Sequence, residues 1–173
     1  MKKFIKRFSV IILCCMCFFS STVYGVTYRL QKWHLVDSGK HLDWDGSSKY
    51  MDEWYNSVNT WNAYKKGVIR VDRWDTIEDV EISDKKVGDG TACAETRSGG
   101  KIVFYKNAMD KLSFIQRQSV ATHEIGHALG IGHNEDNFRS VMRPIISPEM
   151  MEKGIADLDL ADELAYDAAY RTY

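Results

Sequence analysis

No segment constrains this chain more than His123-Glu124-Ile125-Gly126-His127-Ala128-Leu129-Gly130-Ile131-Gly132-His133. His123 and His127 stand four residues apart, so on a helix their imidazoles share one face. Gly130 can take a positive φ where such a helix ends, which lets the chain turn back and deliver His133 to the same point. Three converging imidazoles leave the fourth position of a tetrahedral zinc ion open, the arrangement of a catalytic rather than a structural site. Glu124 is not needed to hold the metal. It is placed to take a proton from water and pass it to a leaving amine. The chain must therefore fold a helix, a glycine turn and a loop around one cation. Three of its five histidines fall in this segment; His34 and His41 lie far upstream and are expected to be surface or core side chains.

The flanking sequence supplies the scaffold. Ser113 and Gln116 have the spacing of a capping box, so a helix is predicted to begin there and run through Val120, Ala121, Ile125, Ala128 and Leu129 to Gly130. From Ser48 to Lys66, Tyr50, Trp54, Val58 and Trp61 recur at helical spacing, with Asp52 and Glu53 near the start and Gly67 as the stop. That aromatic stripe reads as core packing. Val26 to Trp33 reads as a first strand, and Val68 to Val71, Val80 to Ile82 and Ile102 to Tyr105 as short later ones. Gly88, Gly90, Gly99 and Gly100 bracket a loop between the last two strands, and a final helix is expected from about Asp159 to Tyr170. Both prolines, Pro144 and Pro148, come late, and no repeat or linker marks a second domain. The order of elements is that of an α+β fold with the metal helix packed under a sheet.

Residues 1–25 read as a secretory signal peptide. Lys2, Lys3, Lys6 and Arg7 precede an apolar run from Phe8 to Phe19, and Val23 and Gly25 suit the −3 and −1 positions of a cleavage site. The run falls short of the ~20 residues that span a bilayer. The segment holds four of the 23 basic side chains and none of the 24 acidic ones, which leaves residues 26–173 with a net charge of −5. That balance argues against a nucleic-acid partner and provides no basic membrane patch. Cys14, Cys15 and Cys17 leave with the signal, so Cys93 has no partner for an internal disulfide and is expected to be a small buried side chain.

With these residues in place, the chain resembles the metzincin metallopeptidases, whose signature H-E-x-x-H-x-x-G-x-x-H is followed by a methionine turn. Ser140-Val141-Met142-Arg143-Pro144 places Met142 nine residues beyond His133 and is similar to the turn of the matrixins, the matrix metalloproteinase branch. The resemblance implies a metzincin (zincin-like) fold, a twisted mixed β-sheet with about three helices and an active-site helix ending at a glycine turn. It also implies one catalytic Zn2+ on His123, His127 and His133, with Met142 as an apolar floor that does not coordinate. Gly99 to Phe104 looks like the glycine-led strand ahead of the active-site helix, and Leu158 to Tyr166, with Asp162, looks like the last helix. A nearby edge strand is implied to pair with a protein or peptide substrate in extended form.

The chain departs from the family pattern in several places. Asn134 stands where matrixins usually carry serine, and Ile146 where the vertebrate enzymes usually have the tyrosine of the S1′ wall. No histidine lies between Gly67 and Thr122, so a second, structural zinc has no ligands. Ca2+ sites cannot be traced; Asp84 and Asp89 are the nearest candidates, and loop acids are common without calcium. The stretch between Gly25 and Asp45 leaves no room for a latency domain and holds no cysteine, so latency could involve only Cys93. The expected protein is a secreted, monomeric zinc endopeptidase of residues 26–173. A narrow-specificity processing protease and a zinc-binding interaction module without turnover are the alternatives.

Overall fold

The computed structural model describes residues 25–88, 92–144 and 156–173. The leader up to residue 24, Asp89, Gly90, Ile146 and Pro148 lie outside the described residues. Five strands form one mixed sheet: β1 (Leu42–Gly46), β2 (Ile69–Val71), β3 (Val80–Lys85), β4 (Ala94–Arg97) and β5 (Lys101–Tyr105), in the order β2-β1-β3-β5-β4. The pairs β1–β2, β1–β3 and β3–β5 are parallel, and β4 runs antiparallel to β5 at one edge.

The helices are α1 (Met51–Tyr64), a four-residue α2 (Lys106–Met109), α3 (Phe114–Ala128) and α4 (Leu160–Tyr170). Among the described residues this is the expected α+β architecture, with three long helices and the short α2, which the sequence did not announce. The aromatic stripe of α1 is core: Tyr50, Trp54, Val58 and Trp61 are all buried, and Trp61 Nε1 donates to the Thr122 carbonyl of α3 at 2.9 Å. This bond joins the two longest helices back to back. The capping box of α3 forms as the spacing predicts, with the Ser113 backbone N–H donating to Gln116 Oε1 at 2.7 Å. The last helix starts at Asp159, whose Oδ1 accepts from the Asp162 N–H at 3.0 Å.

Two expectations need correction. Val26 to Trp33 is not a strand of the sheet. It makes one isolated antiparallel bridge, Leu30 with Ile131, and lies as an extended strap along the chain that leaves α3. Gln31 N–H donates to the Gly130 carbonyl at 2.8 Å and Gly132 N–H to the Arg29 carbonyl at 2.9 Å. The alternating apolar residues therefore record docking on a loop, with Leu30 still 40% exposed. The true first strand is β1, whose Leu-Asp-Trp-Asp-Gly sequence is poor in strand formers. Its buried Asp43 is rescued by the register partner Arg70 on β2, which donates from Nε and Nη2 at 2.7 and 2.6 Å. Likewise the presumed loop between Gly88 and Gly100 contains β4, an edge strand of small and charged residues that carries little hydrophobic pattern.

Candidate metal centre and active site

The site is built from the end of α3 outward. His123 and His127 project from successive turns, half-buried, with ring centroids 4.6 Å apart. Gly130, at φ +87°, then breaks the helix; its N–H donates to the His127 carbonyl and the Ile131 N–H to the Gly126 carbonyl, both at 2.9 Å. This turn brings His133, which is exposed, back over the helix, with ring centroids 5.2 Å from His123 and 4.8 Å from His127. One ring nitrogen from each histidine lies within 4.8 Å of the others, and His127 Nε2 is 3.1 Å from His133 Nε2.

The hydrogen bonds behind the rings decide what these nitrogens can do. His123 Nδ1 is 2.8 Å from the Val141 carbonyl, and His127 Nδ1 is 2.9 Å from the Ile131 carbonyl. A carbonyl only accepts, so each Nδ1 carries the proton and each Nε2 presents a lone pair. Burial pushes both imidazoles down to about 4, so they are neutral at physiological pH. Two Nε2 lone pairs aimed outward from α3, with a ring nitrogen of His133 within reach, make a three-imidazole donor set that suits zinc. The donor set therefore fits the metal expected from the sequence.

Glu124 is buried beside the triad. Thr96 Oγ1, on the edge strand β4, lies 2.6 Å from Glu124 Oε2 and 2.9 Å from its backbone carbonyl. Burial raises the Glu124 carboxyl above its ordinary range, against the lowering effect of the Thr96 hydroxyl and the nearby His127. A cavity of about 800 Å3 opens over these groups, lined by β4 from Ala94 to Thr96, by Leu112 and Val120, and by Val141, Arg143 and Pro144.

Met142 is fully buried under α3, where a Cβ added to Gly126 would run into its Sδ and meet Trp61 Cζ2 at 3.1 Å. Ser140 to Met142 are fixed from the last helix. Asp162 is buried and receives Ser140 Oγ at 2.5 Å and the N–H groups of Val141 and Asp159 at 3.0 Å each. Ser140 Oγ in turn receives the Met142 N–H at 3.0 Å. An unbroken chain of contacts thus runs from Asp162 through Val141 to His123.

The structure brings together every residue the sequence singled out for the site: His123, Glu124, His127, His133 and Met142. It adds Gln31, whose Nε2 is 2.6 Å from His127 Nδ1, along with Thr96, Val141 and Asp162. Motif spacing could not find Gln31 or Thr96, because both come from distant chain segments. Cys93 is a half-buried free thiol on the cavity wall, raised by burial and by the charge of Glu124. His34 and His41 take no part: His34 packs on Tyr173 at 4.7 Å and His41 lies near Asp37. Asp84 is engaged at the start of α1, accepting from Ser48 Oγ at 2.6 Å and Lys49 N–H at 2.8 Å.

A helix, a glycine turn and a loop gathering three histidines beside a buried glutamate, under a mixed sheet with one antiparallel edge, define a metzincin-type zinc protease fold. Archaemetzincin from Methanopyrus kandleri shares that fold, with a TM-score of 0.52 at 14% identity over 79% of this chain and 99% of that one. The family model for the peptidases described as Matrixin matches residues 33–171, and the chain belongs to the matrixin family. It is also similar to Metalloendoproteinase 1 of Glycine max, at 46% identity over 43 residues. Those residues make up 25% of this chain and span 14% of that relative's length.

Proposed function

We propose that residues 26–173 form a secreted zinc-dependent endopeptidase that cleaves protein or peptide segments bound in extended form, after removal of a signal peptide of residues 1–25. The observation that carries this reading is the pairing of two neutral imidazoles, each aimed by a carbonyl behind it, with a buried glutamate at their side. A site that only bound metal would need the histidines but not Glu124. His123, His127 and His133 hold the zinc, and Met142 closes the site from below without coordinating. Bound there, the metal supplies Lewis acidity toward the scissile carbonyl and makes water acidic enough to react near neutral pH.

Every other step belongs to the chain. Glu124 takes the proton from the attacking water and returns it to the departing amine, and its raised pKa suits it to both directions. Thr96 occupies Oε2, which leaves Oε1 for the proton. Among the described residues β4 has β5 on one side only, so its other edge offers backbone groups to an extended substrate along the cavity. Secretion is supported by the basic, then apolar, start of the chain; among the described residues no helix is long and apolar enough to cross a membrane.

The test compares the zinc-loaded chain with Glu124→Ala on a mixed peptide library, with and without a chelator. The expected outcome is one zinc per chain in both proteins and a loss of about 10²–10⁴-fold in kcat for the variant. Undiminished cleavage by Glu124→Ala would remove the proposed base. Zinc binding with no cleavage of any peptide by the unsubstituted chain would favour an interaction module instead.

A further inference from the structure

The strap ahead of β1 does more than cover the loop after α3. Its backbone is registered at three points: Gly132 N–H to the Arg29 carbonyl, Gln31 N–H to the Gly130 carbonyl, and Leu35 N–H to the Ala128 carbonyl at 2.8 Å. Asn134, buried next to the third histidine, donates from Nδ2 to the Thr27 carbonyl at 3.0 Å. These bonds hold Gln31 at the cavity wall, with its side-chain amide 2.6 Å from His127 Nδ1.

An amide can present either of its ends, and the end it presents decides the tautomer of the ring it faces. The structure places the NH2 end of Gln31 toward the ring; in that orientation Gln31 would donate to Nδ1 and force the proton onto Nε2, against the Ile131 carbonyl that requires an Nδ1–H. That proton would then sit between His127 and His133, whose Nε2 atoms are 3.1 Å apart, and His127 could not bind a cation. A half-turn of the amide, which leaves its outline unchanged, puts the oxygen there instead; Gln31 then accepts the same Nδ1–H that the Ile131 carbonyl accepts, and Nε2 is left free. The amide orientation and the tautomer are therefore locked together. We infer that Gln31, clamped by the strap, is a positioning residue that acts with the Ile131 carbonyl to hold His127 in its metal-binding tautomer. The inference rests on the reading of His123, His127 and His133 as zinc ligands.

Three full-length proteins test it: the unsubstituted chain, Gln31→Leu, which keeps the bulk but not the acceptor, and Gln31→Glu, which can only accept. Zinc affinity is measured by competition with a chromophoric chelator. Gln31→Leu is expected to bind zinc about 10–100-fold more weakly, the usual loss on removing a group that orients a ligand histidine. Gln31→Glu is expected to bind at least as tightly as the unsubstituted chain, an outcome that side-chain packing alone would not produce. Imidazole 15N spectra of the metal-free proteins give a second readout: His127 should be protonated at Nδ1 in the unsubstituted and Glu forms, with a rise in the Nε2–H form in Gln31→Leu. A Gln31→Leu protein within twofold of the unsubstituted affinity, or a Gln31→Glu protein as weak as Gln31→Leu, overturns the inference. If none of the three binds zinc, the metal reading fails, and the metal-free spectra still decide the role of Gln31.

Discussion

The three histidines reach the centre by two kinds of structure. His123 and His127 ride on α3, whose fold-side face is sealed by Trp61 and Met142, and their rings are backed by carbonyls from the methionine turn and the helix end. His133 is exposed on a loop whose place depends on the strap more than a hundred residues earlier in the chain. The helical pair is set by a four-residue interval and by core packing. The loop ligand is set by a few hydrogen bonds, from Asn134 Nδ2 to the strap and from the Asn134 N–H to the Met142 carbonyl, each contributing little net free energy. Changes under α3 should therefore cost global stability, and changes at the strap should act locally on the third ligand.

Asp162 gives the largest effect on the helical side. It serves three donors, so Asp162→Ala should destabilise the metal-free protein by about 3–5 kcal/mol, since each buried donor left without its acceptor costs about 1–3. Urea unfolding measures this, and a loss under 1 kcal/mol would show that the methionine turn holds itself. Burial, the first cause, pushes the Asp162 carboxyl up to about 7, with the Asp159 charge adding to it and the Ser140 hydroxyl and backbone N–H groups opposing it. The folded value lies above the unfolded one, so this group's contribution is complete below about pH 3.8 and is lost as pH rises through about 7. The buried His123 and His127, pushed down to about 4, add stability as pH rises toward 6.5, so the decline is read as a difference: the unfolding free energy of the unsubstituted protein minus that of Asp162→Asn should fall between pH 4 and pH 8.

Gly126→Ala is the next test of the helical side. Alanine favours a helix interior over glycine by about 1 kcal/mol. The new methyl group, however, meets the buried Met142 and Trp61, and overpacking of that kind costs about 1–3 kcal/mol. With the methyl carbon set against the buried Met142 sulfur the steric term wins, and a net loss of up to about 2 kcal/mol is expected in thermal or urea unfolding. A stabilised variant would mean that Met142 swings aside freely and is no fixed floor.

The same division explains what the sequence made legible. The capping box at Ser113, the stripe on α1 and the glycine stop at Gly130 are local patterns, and each forms where its spacing puts it. The triad and Glu124 were readable for the same reason. β1 was missed because its stability comes from the Asp43–Arg70 pair across the sheet, and β4 because an edge strand needs little hydrophobic alternation. The strap was misassigned because alternating apolar residues dock on a loop as readily as in a sheet. Gln31 and Thr96 gave no signal, since what matters about them is a contact made only after folding.

Asn134 sharpens the comparison with the smallest change. At this matrixin position, where serine is usual, the longer amide reaches the Thr27 carbonyl and closes the strap over the third ligand. Asn134→Ala removes one hydrogen bond, and the global loss should be about 1 kcal/mol. The informative readout is hydrogen exchange. The Gln31 and Gly132 amides, which bind the strap to the loop, should exchange faster, while the amides of Val120 to Ile125 keep their protection. Faster exchange throughout α3 would make loop and helix one cooperative unit, and the local account of His133 would fail. Exchange confined to the strap would mean that the strap opens without unfolding α3, while His133 stays tied to the methionine turn through the Asn134 N–H bond to the Met142 carbonyl.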